Sequence, residues 1–154
     1  MPVFSRRTLC ACAAAFLLAG CGPKEASSVR DLNMRPVKLP DGTVIRAELV
    51  TNQADLLRGL KYRESMAEDE GMLFAYGKSG NYRFWMHEVK FPIDLIWLDT
   101  DHRIVQLIHK APPCPGKPET CPVYGGDFTA LFVLELNAGM AARRGLKPGM
   151  ALDF

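Results

Sequence analysis

An excess of charge of one sign is missing from this 154-residue chain: 19 basic against 17 acidic side chains leave a formal net charge of +2. That balance gives no electrostatic footprint for nucleic acid or for anionic lipid head groups, so nucleic acid is not expected as a partner. No apolar run is long enough to cross a hydrocarbon core, which takes roughly 20 apolar residues. A Gly-rich phosphate loop and a nucleophile elbow around serine or cysteine are absent too. The nearest approach to a metal pattern, His109-x4-Cys114-x6-Cys121, matches no common structural zinc spacing and lacks a fourth ligand. No cofactor or metal is therefore expected. What is present, 48% hydrophobic and 23% charged residues, suits one globular domain.

The N-terminus reads as an address. Arg6 and Arg7 form a basic start, residues 9–19 an apolar stretch of signal-peptide length, and Leu18-Ala19-Gly20-Cys21 resembles the lipobox of bacterial lipoproteins. The expected product is cut before Cys21 and carries lipid on its sulfur and new amino end. Ser5-Arg6-Arg7-Thr8-Leu9 also looks like a twin-arginine export signal, as open here as the general export route. Gly22 stands where an aspartate would resemble an inner-membrane retention signal, which favours the outer membrane in a cell with two. The leader of residues 1–20 holds two of the basic residues and no acid, so the remainder is balanced in charge. Residues 22–36 are polar without an apolar period and read as a flexible tether. The folded domain is expected over residues 37–154, attached to the membrane through Cys21 and lying in the periplasm or otherwise outside the cytoplasmic membrane.

That domain reads as mainly β, a sandwich or flattened barrel of seven or eight short strands with two short helices. Pro40-Asp41-Gly42 between two β-branched runs, 37–39 and 43–50, is a hairpin signal. In the second run Ile45, Ala47 and Leu49 share one face, and Arg46 and Glu48 the other, which looks solvated. Asn52 or Thr51 can cap a helix over 53–58 ended by Gly59. Further strands are expected over 72–76, 81–89, 93–98, 103–109, 128–136 and 150–154. Asn137 is expected to cap a second helix over 138–144. The strands do not alternate with helices, so a doubly wound parallel sheet is not expected. Runs such as 128–136 are apolar on both faces, which suggests central strands covered on both sides.

Cys114 and Cys121 bound an eight-residue, proline-dense loop, and export favours a disulfide between them. Two carboxylates carry the chemistry. Asp94 shares a strand face with Ile96 and Leu98, and Glu135 with Leu131 and Val133. An acid on an apolar face needs a donor or a proton. Arg63, Arg83, the Trp85 indole and the backbone near Asn137 are candidate donors. Either these groups meet in a cleft around a polar ligand, or the acids fasten strand ends to loops. Tyr82, Phe84, Trp85 and Met86 line either a groove or the core. His87, His102 and His109 are scattered.

The stretches Gly59-Leu60-Lys61-Tyr62-Arg63, Glu70-Gly71-Met72-Leu73-Phe74, Phe84-Trp85-Met86, Phe91-Pro92-Ile93-Asp94-Leu95-Ile96-Trp97-Leu98-Asp99 and Val133-Leu134-Glu135-Leu136-Asn137-Ala138-Gly139 together resemble the successive motifs of the domain of unknown function 192 family. The resemblance runs over nearly all of residues 37–154. It implies a compact, mainly β domain, often exported, with no established activity, and places polar motif positions on Arg63, Asp94, Glu135 and Asn137. His87-Glu88 departs from the family's pattern, and the cysteine loop looks like a variable insertion. Three functions compete: an envelope-anchored module binding a small polar, saccharide-like ligand through Arg63, Trp85, Asp94, Glu135 and Asn137; a hydrolase with Asp94 and Glu135 as acid and base; or a protein-interaction domain. The hydrolase requires the two carboxyls within about 5–10 Å in an open cleft.

Overall fold

The computed structural model describes residues 32–154. The leader, Cys21 and most of the tether lie outside the described residues. In chain order the elements are β1 (Met34–Lys38), β2 (Val44–Val50), α1 (Gln53–Arg58), β3 (Glu70–Gly80), β4 (Arg83–Trp85), β5 (Ile93–Leu98), β6 (Ile104–Ala111), a 3-10 turn (Pro118–Thr120), β7 (Val123–Gly125), β8 (Ala130–Asn137) and α2 (Met140–Arg143). Six strands form one sheet in the order β1-β2-β3-β8-β5-β6, and β4 pairs with β7 in a small second sheet. All pairs are antiparallel except β2 with β3. That parallel pair is possible because the connection through α1 is long enough to carry the chain back across the sheet.

The expected hairpin forms. Leu39 donates to Thr43 O at 2.8 Å and Gly42 to Leu39 O at 2.9 Å, while Asp41 Oδ1 accepts from Thr43 N at 2.9 Å. Gly42 sits at φ 86°, which a side chain would resist. The first strand begins at Met34, so the last residues assigned to the tether are part of the sheet. In α1 the Asn52 side chain accepts from Asp55 N at 3.0 Å and Gly59 ends the helix at φ 51°, as the capping pattern predicts.

The sheet has a core on each face. Val37, Ile45, Ala47, Leu73, Ile96, Leu134 and Leu136 pack on one face against α2 and the C-terminal residues. Phe74, Leu95, Trp97 and Val133 pack on the other, beneath the segments that carry Leu60, Met66, Met86 and Val89. Every residue of β5 is buried, as the doubly apolar pattern requires. Trp97 fills the middle of the second core and donates its indole N–H to Tyr82 O at 2.9 Å.

Three expectations are corrected here. The terminal residues 150–154 form no strand ladder. They make one bridge to each edge of the large sheet, Lys38 with Asp153 and Arg103 with Ala151, which close it into a flattened barrel. The aromatic segment 81–89 forms a strand ladder only at β4; His87 adds one parallel bridge to Cys114, and Glu88 at φ 63° turns the chain there. Glu48 is not solvated: its carboxylate is half-buried under Arg63.

Cys114 and Cys121 form a disulfide with Cα atoms 5.7 Å apart. The loop is pinned at its start, where Cys114 N donates to Met86 O at 3.1 Å. Replacing both cysteines with alanine is expected to cost about 2.5 kcal/mol on the chain-entropy model. Urea unfolding checks this: an unchanged midpoint would show that the prolines alone hold the loop.

Candidate functional site

Pairing register decides which of the candidate residues meet. Asp94 stands opposite Leu136, and Leu95 opposite Glu135. Neighbouring residues of a strand point to opposite faces, so Asp94 and Glu135 lie on opposite sides of the sheet. They cannot share a substrate, and the acid–base pair required of a hydrolase is not formed.

Asp94 is fully buried on the α2 side. Its Oδ1 accepts from Lys110 N at 2.8 Å and Gly139 N at 3.0 Å, and its Oδ2 from Ala141 N at 2.8 Å. The last two donors belong to the first turn of α2. Asp94 therefore caps that helix from a neighbouring strand. The cap expected from Asn137 is replaced, and α2 starts after Gly139 at φ 81°, shorter than the sequence suggests. Asn137 instead donates its amide to Met66 O at 3.0 Å and Ala67 O at 2.8 Å, fastening the loop before β3. Both residues hold backbone, and neither faces the groove described next.

Glu135 occupies the other face. Glu48, Met72 and Glu135 are consecutive partners across β2, β3 and β8, so their side chains form one row. At strand spacings of about 4.8 Å the two acids stand roughly 10 Å apart. Arg63 reaches this row from the loop after α1. Its Nη1 donates to Glu48 Oε2 at 2.8 Å and its Nη2 to Oε1 at 3.0 Å, a two-point contact of the kind arginine geometry favours. The loop is held in turn by Tyr62, which is at φ 65°, donates its N–H to Glu88 O at 3.0 Å and its hydroxyl to Glu88 Oε2 at 2.8 Å.

Glu135 is only 5% exposed, and its Oε2 makes no hydrogen bond among the described residues. Burial pushes its carboxyl up to about 8, against the opposing pull of the Arg63 charge. The acid is thus largely protonated at neutral pH, a donor as well as an acceptor. It borders a cavity of about 150 Å³ between α1, Phe74, Tyr76, Phe84 and Trp85. A second cavity of about 640 Å³ shares Leu56, Leu57, Tyr76 and Arg83 with the first and adds Lys78 and Tyr82. Together they make a groove under α1 with Glu135 at its inner end. Its walls are aromatic: Tyr76 stacks on Tyr82 at 3.5 Å between centroids, and Phe84 meets Phe74 edge-on at 5.1 Å. Burial, the Glu135 charge and Tyr82 together hold the Tyr76 hydroxyl protonated well above the usual range. At the mouth Trp85 is 40% exposed, with the Lys61 ammonium 5.6 Å from its ring centroid.

Of the five ligand candidates, Trp85 and Glu135 line this groove; Arg63 does not line it but sits on Glu48 and acts on Glu135 through its charge, and Asp94 and Asn137 lie elsewhere. Sequence reasoning missed Glu48, Tyr76, Lys61 and the part played by α1. Tyr76 follows Met72 and Phe74 at a spacing of two, so its side of β3 was legible. That this side borders a groove was not. Among the described residues no helix is long and apolar enough to cross a membrane.

Comparison with known proteins agrees with this architecture. No curated protein matches the chain. A crystal structure of a protein of unknown function from Novosphingobium aromaticivorans is 31% identical with a TM-score of 0.70, covering 79% of this chain and 85% of that one. A Sinorhizobium meliloti structure, described as a candidate transcription regulator, is 29% identical with a TM-score of 0.67, covering 77% of this chain and 89% of that one. The model of DUF192, described as an uncharacterized family (Uncharacterized ACR), matches residues 37–154. The chain therefore belongs to the DUF192 family.

Proposed function

We propose that this protein is a lipid-anchored module of the bacterial cell envelope that holds a small polar, saccharide-like ligand in the Glu135 groove. One observation carries the binding reading: a buried carboxyl with an unpartnered oxygen borders a cavity lined by aromatic rings. An unmatched buried carboxyl is costly, and a ligand hydroxyl that parted the side chains covering Oε2 would supply the missing hydrogen bond. The apolar face of a sugar ring would stack on Trp85, and Lys61 and Arg83 would meet its polar edge. The lipobox-like Leu18-Ala19-Gly20-Cys21 supports the anchor, because acyl chains on Cys21 would hold a charge-balanced domain at a membrane that its side chains do not attract.

The test is thermal unfolding of the full chain against a panel of cell-wall and envelope oligosaccharides. A ligand at 100 times its Kd stabilises by about 2.7 kcal/mol, a readily measured rise in Tm. Glu135→Gln and Trp85→Ala are expected to weaken the shift. No shift with any member of the panel overturns the reading. Mass spectrometry of the membrane-extracted protein tests the anchor: an unacylated Cys21, or a chain still carrying residues 1–20, overturns it.

A further inference from the structure

Another cavity lies on the opposite face of the sheet from Glu135 and plays no part in the reading above. It has a volume of about 760 Å³, within the range of small-molecule sites. Its walls come from Leu49, Leu73, Ala75 and Phe132, which point out of β2, β3 and β8 toward the barrel side, and from Phe154. His102 and Phe154 stack with centroids 3.8 Å apart, and both meet Phe132 edge-on, so one end of the cavity is a fixed aromatic wall. The closure of the barrel by residues 150–154 creates this space. Phe154 is placed by the bridge between Asp153 and Lys38, whose backbones exchange hydrogen bonds of 2.8 and 3.1 Å.

The rim is polar in a specific way. Lys38 and Asp153 stand opposite each other across that bridge, one charge of each sign, with no salt bridge between them among the described residues. Arg35 adds a second cation. It is two residues from the buried Val37 on β1, so its side chain leaves the strand on the cavity side. Its only side-chain hydrogen bond among the described residues goes to Met34 O at 3.3 Å, and it makes no salt bridge there. An apolar cavity with one uncommitted guanidinium at its edge is complementary to an apolar chain that ends in an anion.

We propose that this cavity binds a single-chain carboxylate amphiphile, a fatty acid, with its alkyl chain among Leu49, Leu73, Phe132 and Phe154 and its carboxylate on Arg35. Burying the chain supplies most of the affinity, and Arg35 selects the head group.

The test uses the full chain carrying Cys21→Ala, so that no acyl group of its own competes. Its probe is cis-parinaric acid, whose emission rises in apolar surroundings. Saturable one-to-one binding is expected, with displacement by dodecanoate at least tenfold stronger than by dodecanol. Arg35→Gln is expected to remove that preference and leave dodecanol binding intact. Because Arg35 is exposed, this variant should fold. Ala75→Phe, which fills the cavity, is expected to abolish binding of both, and its circular dichroism reports whether it has folded. Glu135→Gln should bind the probe as the parent does, so failure here is separate from failure of the saccharide reading. Absence of saturable binding, equal affinity for acid and alcohol, or unchanged binding in a folded Ala75→Phe overturns the proposal.

Discussion

Asp94→Ala is expected to be among the most destabilising single substitutions in the domain, costing about 4 kcal/mol or more. The carboxylate accepts three backbone N–H groups, from Lys110, Gly139 and Ala141, and the side chain is fully buried. Alanine would strand the two buried donors, Gly139 N and Ala141 N, out of reach of water and leave the part-buried Lys110 N without its acceptor. Each buried, unmatched polar group costs roughly 1–3 kcal/mol, and domains of this size are stable by only about 5–15 kcal/mol in total. Asp94→Asn keeps the shape but turns an NH2 group toward a backbone donor. It should cost less than alanine, about 2–3 kcal/mol. Urea unfolding gives the totals. Amide hydrogen exchange locates them, since Gly139 and Ala141 should lose protection before the central strands do. A loss below about 1 kcal/mol for Asp94→Ala would show that water takes over the three bonds.

Glu135→Gln is expected to act in the opposite sense, through the pH dependence of stability. The carboxyl ionises near 4.5 in an unfolded chain and is pushed up to about 8 in the fold, chiefly by burial. Below 4.5 both states are protonated and the group adds no pH dependence. Between about 4.5 and 8 the unfolded chain releases a proton that the native state keeps. Stability therefore falls as pH rises through that window, by at most about 1.4 kcal/mol per pH unit, and levels off above it. Glutamine cannot ionise. The stability difference between Glu135→Gln and the parent should thus grow in favour of the variant from pH 4.5 to pH 8, by on the order of 3–4 kcal/mol. Any fixed cost of burying the amide cancels in this comparison. Arg63→Met should move the midpoint of the transition to higher pH, since its charge is the influence that lowers the carboxyl. Denaturant unfolding of parent and variant at half-unit pH steps measures both effects. Parallel curves across the window would mean that the Glu135 carboxyl is solvated.

Glu135 and Asp94 also show how far local pattern reaches. The run that holds each acid, its strand, and the apolar side of that strand were legible from spacing alone, because the alternation of side chains is a property of any extended chain. The opposition of the two acids was not. It depends on Asp94 pairing with Leu136 and not with Glu135, a shift of one residue between strands far apart in sequence. No local signal reports that register. The same holds for the cap of α2: Asn137 has the right residue type next to the helix, yet the first-turn donors are claimed by an aspartate 45 and 47 residues away in sequence. A side chain fixed in the fold can outcompete a local one that is better employed holding Met66 and Ala67.

Composition, hydropathy and spacing by themselves determined a mainly β fold, the hairpin at Asp41-Gly42, α1 with its caps and a cysteine pair close enough to bridge, and the successive motifs carried the resemblance to the family. All of these rest on interactions within a few residues or on patterns that any fold of this class must satisfy. Only the tertiary structure decided that the sheet closes through residues 150–154, that Asp94 is a fastener, and that Trp85 and Glu135 share a groove while Arg35 borders a separate cavity. Each of these depends on which strands become neighbours and in what register. That choice is made by burying both faces of the central strands at once, an energy spread over the whole core and not written in any one segment.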